Sequence, residues 1–426
     1  MGDTMKRRKL KVKNCIIAVI ILLLVIYLIV SLIVRLVSNN HKEEEKKLDD
    51  LTMYTSEEIN EYSKENNIKV NISYEYNYDI DKDKVISQSV KAGTKLTEVK
   101  SIDVVISKGE IEKKVLKEKH VNELGKVPIM MYHGIHNVES SSTAYTGGNV
   151  DKDGYNRTAE AFRSDLEKYY SLGYRMIRLI DYVNGDIDVP LGYSPIVLTF
   201  DDGASNNIKV TGLDSDGNII IDPNSAVGIL EEFKKKYPDF NVTATFFVTS
   251  ALFNQKEYND KIVKWLVEHG YDIGNHTESH NDLASTTTEK TQKVIASVYK
   301  KLDSLIPDKY VNILALPYGK PTSRTHQNYP YVLEGEYDGY SYKTLAALRV
   351  GWEPEVSPYN KNFNITYIKR CRAYDNNGKD FDIEMVFKLL EKNRYISDGF
   401  KDVITVKEQD KQLLSDNITS KKIVTY

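Results

Sequence analysis

Between Cys15 and Val34 only Tyr27 and Ser31 interrupt an apolar run of twenty residues. As a helix it is about 30 Å long, the thickness of a bilayer's hydrocarbon core. No water-soluble fold readily buries such a segment on every side, so the chain is expected to start with a membrane span. Lys6, Arg7, Arg8, Lys9, Lys11 and Lys13 precede it, whereas His41 to Lys47 mixes charge signs. That asymmetry keeps the amino terminus in the cytoplasm and puts the remainder outside. A cleaved signal peptide shares the basic start and apolar core. The run is long for one, however, and no small-residue cleavage site stands out near Ser31 to Asn40, which favours an uncleaved anchor. The expected order is a cytoplasmic segment 1–14, a transmembrane helix 15–36 and a linker 37–47.

The remaining chain is long enough for one large domain and a smaller one. A net charge of -3 and a pI near 6.3 give no reason to expect nucleic acid. The two cysteines, Cys15 at the edge of the span and Cys371 in the far domain, cannot pair within one chain. With its richness in Lys, Asn and Tyr, the chain reads as a Gram-positive surface protein. Thr55 and Glu58 form a capping box ahead of Ile59 and Tyr62. Val70, Ile72, Tyr74 and Tyr76 alternate with polar residues, as do Ile102, Val104 and Ile106, which predicts a helix on a small half-buried sheet. Val85 to Ser89, Lys91 to Thr94 and Val105 to Gly109 resemble a PASTA domain, a family linked to peptidoglycan recognition. The resemblance covers 48–109 and implies a small α+β module that binds the wall or spaces the next domain from the membrane. Charged residues 110–125 read as a linker.

Chemistry concentrates further on. Pro195 to Phe200 is a β-branched apolar run of strand length, so Asp201-Asp202-Gly203 falls where a buried strand ends. Tyr271 to Gly274 runs likewise into Asn275 and His276, with His280 four residues later, and Val311 to Leu316 delivers Pro317-Tyr318-Gly319. Strands alternating with amphipathic helices, such as those starting at Thr158 and Ser225, predict an α/β barrel whose site gathers at the strands' carboxyl ends. One Asp and two His offer Zn²⁺ or another divalent metal three ligands and leave a position for water, while the second Asp is free to act as a base. Asp214 to Asn218 has a calcium-loop look but lacks the distal Glu, and reads as a hairpin turn.

Thr199 to Gly203 resembles the first motif of the polysaccharide deacetylases (the NodB-type, carbohydrate esterase family 4 group), His276 to His280 their second and Leu316 to Gly319 their third. Pro128 to His133 resembles the opening segment of many members. The resemblance spans 126–406, leaving 407–426 as a C-terminal segment. It implies a distorted (β/α) barrel that removes acetyl groups from N-acetylated sugars in a polymer, here most naturally peptidoglycan. It further implies Asp202, His276 and His280 as metal ligands, Asp201 as general base, and the Tyr318 backbone N–H as an oxyanion donor after Pro317. Tyr132, Pro317, Tyr318 and Trp352 are candidates for contact with the sugar. Two departures matter. Ala315 stands where the family has an Arg that tunes the catalytic Asp, which leaves Arg370 or Arg372 as replacements. No His follows His326, so the family's late acid histidine is missing and His133, or Asp201 once protonated, must serve. Deacetylation of another surface glycan, at N- or O-acetyl groups, and non-catalytic wall binding are the competing readings.

Overall fold

The computed structural model describes residues 2–40, 45–351 and 353–426, in two compact units, 1–112 and 113–426. In the first unit a continuous helix spans Gly2–Asn40, and its Val12–Val37 stretch is long and apolar enough to cross a membrane. None of that apolar surface is covered by protein. Further along, Thr55 caps the helix Ser56–Asn66: its hydroxyl accepts from the Glu58 N–H and the Glu58 carboxylate returns the bond to the Thr55 N–H. The helix sets Ile59 against a three-stranded sheet in which Ser101–Ser107 runs centrally, parallel to Lys69–Glu75 and antiparallel to Val85–Gln88. Leu51, Ile59, Val85, Val104 and Ile106 are sealed from solvent. Each such side chain stabilises the module by about 1.5–3 kcal/mol relative to exposure.

The second unit is built on parallel strands. In spatial order they are Ala346–Leu348, Ile313–Ala315, Asp272–Asn275, Thr245–Val248, Ser194–Phe200, Ile129–Tyr132 and Cys371–Arg372, with Tyr174–Met176 added alongside the start of Ser194–Phe200. The two outer strands approach each other: Leu348 bridges Ile368 in parallel, and the Arg349 N–H donates to the Ile368 carbonyl at 2.9 Å. The segment from Ile368 to Arg372 therefore touches both edges and closes the sheet into a distorted barrel. Ser194–Phe200 is buried at all seven positions, as expected of a strand covered on both faces. The helices Ala159–Ser171, Ala226–Lys236 and Thr288–Leu305 are capped by the hydroxyls of Thr158, Ser225 and Thr287.

Two stretches differ from expectation. Residues 110–125 do not run as a plain linker: Lys113–Glu118 is helical, and Leu116, Val121 and Glu123 are buried. Charge on the surface of this stretch hid its apolar anchors. The C-terminal residues are also part of the unit, since Lys422–Thr425 pairs in parallel with Val403–Val406. Strands this short carry too little periodicity to be read alone. The Asp214 loop is a hairpin turn between Val210–Leu213 and Ile219–Ile221, its carboxylate taken by the N–H groups of Asp216 and Asn218.

Candidate metal and catalytic site

Asp201 and Asp202 leave the same strand end in different directions. The Asp201 N–H stays in the barrel, bonded to the Tyr132 carbonyl at 2.9 Å, while Asp202 takes a left-handed φ of +73°. Gly203 follows at +60°, and a Cβ there would stand 2.1 Å from the Leu252 carbonyl oxygen, so only glycine completes this turn. The turn aims Asp202 outward and keeps Asp201 inside.

His276 continues its strand, its N–H bonded to the Val248 carbonyl at 2.9 Å. Asn275 clamps the turn behind it: its amide donates to the Ile295 carbonyl and its oxygen accepts from the Thr277 N–H. Thr277 and His280 both adopt positive φ, which curls the chain so that the two imidazoles lie 4.9 Å apart. His276 Nδ1 is 2.8 Å from the Ala315 carbonyl oxygen. A carbonyl accepts only, so Nδ1 carries the hydrogen and, in the neutral imidazole that a metal requires, Nε2 presents a lone pair. That lone pair faces Asp202 Oδ1 at 3.3 Å, and His280 Nε2 lies 3.6 Å from the same oxygen.

These three residues fit a divalent cation. Their ligand atoms all lie within 4.8 Å of one another. Moreover, Asp202 Oδ1 and His276 Nε2 are buried polar atoms without a hydrogen-bond partner, which is costly unless something else satisfies both. The Ala315 carbonyl behind His276 is the kind of outer partner that fixes the tautomer of a metal-binding imidazole.

Asp201 is held apart from this cluster. Arg370 grips it with two parallel hydrogen bonds, Nη1 to Oδ1 and Nη2 to Oδ2, each 2.7 Å, and both side chains are almost fully enclosed. Burial raises the carboxyl's pKa, but the charge and hydrogen bonds of the Arg370 guanidinium lead the opposing pull that holds it well below the usual range. Of the two replacements considered for the absent Arg at Ala315, Arg370 meets Asp201 and Arg372 does not. His133 faces both aspartates, and its Nδ1 is buried without a partner. Burial lowers its pKa against the opposing pull of the carboxylates. The Asn207 amide fixes this strand end through the His133 carbonyl at 2.7 Å. Nothing in the spacing of Asn207 announces that role.

Pro317 is buried and starts the short turn Pro317–Gly319; Tyr318 has φ +57°, and its largely exposed ring meets His280 edge-on at 4.5 Å. Tyr132 does not reach the site. Its ring is packed between Phe162 and Phe200 and its hydroxyl is bonded to Asp165 and Tyr169, so an apolar, hydrogen-bonded core position replaces the expected sugar contact. Trp352 lies outside the described residues.

Residues 188–331 match the family model "Polysaccharide deacetylase", and residues 46–108 match that of the PASTA domain. Among solved structures, the chain is similar to a Streptococcus pyogenes deacetylase in complex with acetate, at 19% identity and a TM-score of 0.41, covering 59% of this chain and 93% of that one. A polysaccharide deacetylase from Bacillus cereus gives 18% identity, a TM-score of 0.43 and coverage of 62% and 68%. A de-N-acetylase from Aggregatibacter actinomycetemcomitans gives 13% identity, a TM-score of 0.40 and coverage of 62% and 99%. The chain thus carries a polysaccharide deacetylase domain preceded by a PASTA domain and an apolar helix that fits a membrane anchor.

Proposed function

We propose that this protein is a metal-dependent hydrolase that removes N-acetyl groups from amino sugars of peptidoglycan, working outside the cell from a single-pass anchor. The reading is carried by the separation of the two aspartates: Asp202 shares a partnerless pair of buried atoms with His276, while Asp201 is held ionised by Arg370. Asp202, His276 and His280 would hold the ion. When bound, a divalent ion such as Zn²⁺ supplies a water of lowered pKa and polarises the acetyl carbonyl.

Asp201, excluded from the ligand set, accepts the proton of the attacking water as general base. Arg370 keeps that carboxylate oriented and unprotonated between turnovers. The Tyr318 N–H donates to the developing oxyanion, and the Tyr318 ring, exposed beside His280, offers a face to the pyranose. The leaving amine requires a proton. Asp201 holds one after the first step and returns it, with His133 beside both carboxylates as the relay. Outside the site, the PASTA domain and the apolar helix favour a wall polymer reached from the membrane.

The test is acetate release from N-acetylated muropeptides by the metal-loaded protein, with chitooligosaccharides and acetylated xylan as alternatives. Asp201→Asn should abolish release, a loss of at least roughly 10²-fold, while leaving bound metal unchanged. His276→Ala and His280→Ala should each lower metal content; full stoichiometry in either removes that residue from the ligand set. His133→Gln separates the two proton routes. Retention of a tenth or more of the rate, roughly, makes Asp201 the acid, and a loss of roughly 10²-fold or more makes it His133.

A further inference from the structure

Arg370 and Arg372 stand two residues apart, so in extended chain their side chains leave on one face, about 7 Å apart at the backbone. Cys371 between them points the other way, into the outer core. Arg370 is committed to Asp201. Arg372 has no comparable partner: among the described residues no carboxylate pairs with it, and its Nε is buried without a hydrogen bond. Aromatic rings frame it instead. The guanidinium carbon lies 3.8 Å from the centre of the Tyr374 ring and 5.3 Å from that of Tyr155, and Tyr155 in turn meets the His133 ring edge-on at 4.9 Å.

The frame is rigid. Asp151 accepts hydrogen bonds from the N–H groups of Asp153, Tyr155 and Asn156 and from the Asn156 amide, which fixes the loop that carries Tyr155. Gly154, at φ +65°, lies so close to Tyr374 that a Cβ would stand 2.6 Å from it. Aromatic contact covers the flat faces of a guanidinium and leaves its N–H edge for a planar, bidentate acceptor. A half-buried cation with no counter-charge is costly, and a ligand anion would offset that cost.

We propose that Arg372, framed by Tyr155 and Tyr374, is a carboxylate-binding subsite that takes an acidic group carried by the glycan next to the N-acetyl sugar being hydrolysed. The inference rests on the deacetylase reading and narrows it to anionic glycans. The planar two-oxygen edge of a carboxylate matches the fork of one guanidinium, which favours a carboxylate over a tetrahedral phosphate diester.

The full-length protein in detergent, loaded with Zn²⁺, is assayed on three glycans: a neutral N-acetylglucosamine oligomer, a muropeptide with free carboxylates, and the same muropeptide amidated. For Arg372→Gln relative to wild type, kcat/KM on the free-carboxylate glycan should fall about tenfold more than on the other two, mostly through KM. Arg372→Lys should recover part of the loss. Equal loss on all three glycans, or none on any, overturns the subsite. Calorimetric binding of the free-carboxylate and amidated muropeptides, and of a glycerol phosphate oligomer, gives a second readout that needs no turnover. If wild type releases no acetate from any glycan, the deacetylase reading fails; carboxylate-selective binding lost in Arg372→Gln would still sustain the subsite. Unselective binding, or preference for the phosphate oligomer, would reject it.

Discussion

At the scale of single residues, the two buried arginine–aspartate pairs show how differently one chemistry can be used. Arg157 grips Asp165 through Nε and Nη2, and Asp165 also accepts from the Tyr132 hydroxyl, which makes a sealed structural network. Arg370 grips Asp201 with similar geometry beside the metal-fitting cluster. Removing either arginine strands a buried carboxylate, a change that costs about 3–5 kcal/mol. Arg157→Ala should therefore lower Tm with kcat on the surviving folded fraction little changed, whereas Arg370→Lys, which keeps charge but loses the fork, should cut kcat by roughly 10-fold or more with a smaller loss of Tm. Thermal denaturation alongside active-fraction kinetics checks both. The sequence made the candidate site legible because Asp201, Asp202, His276 and His280 sit in short local motifs. Arg370 was only one of two options, since its partner is 169 residues away and no periodicity reports a contact across a barrel.

Among the elements, the turns after the strands do most to shape the site. Asp202, Thr277, His280 and Tyr318 all have positive φ, an unusual concentration for non-glycine residues. Gly203 is the turn with least freedom. Gly203→Ala meets the Leu252 carbonyl and should re-aim Asp202, lowering metal content while helix and strand content by circular dichroism stay as in wild type. Strand and helix assignments were readable where burial is continuous or a cap is present, as in Pro195 to Phe200 and at Thr55, Thr158 and Ser225. Reading failed for Lys113–Glu118 and Lys422–Thr425, because elements of a few residues gain their stability from what they pack against.

For the whole second unit, an acidic cluster ties the 110–125 stretch to the C-terminal half. Glu123 is buried and accepts from the Tyr395 hydroxyl and the Thr405 N–H, while Asp398 beside it accepts from the Thr405 hydroxyl and the Phe400 N–H. Burial, and for Glu123 the adjacent Asp398, raises both pKa values, that of Asp398 to about 6. The folded state then binds protons more tightly than the unfolded chain, so this cluster costs stability as pH rises from about 4 through about 6. Asp398→Asn removes the Asp398 part of that dependence and retains an acceptor for the Phe400 N–H. Relative to wild type it should gain roughly 1–3 kcal/mol between pH 4 and 7.5, read by urea denaturation at each pH. A constant offset between the two proteins would exclude Asp398 as the source.

The segment that closes the barrel also carries Arg370. Ile368 bridges one edge, Cys371 and Arg372 pair with the other, and Arg370 lies between them. The contact that closes the barrel and the charge that compensates Asp201 are consequently supplied by one short segment. With the seam open Asp201 would lack its counter-charge, so on the proposed mechanism closing the barrel and arming the base are one requirement.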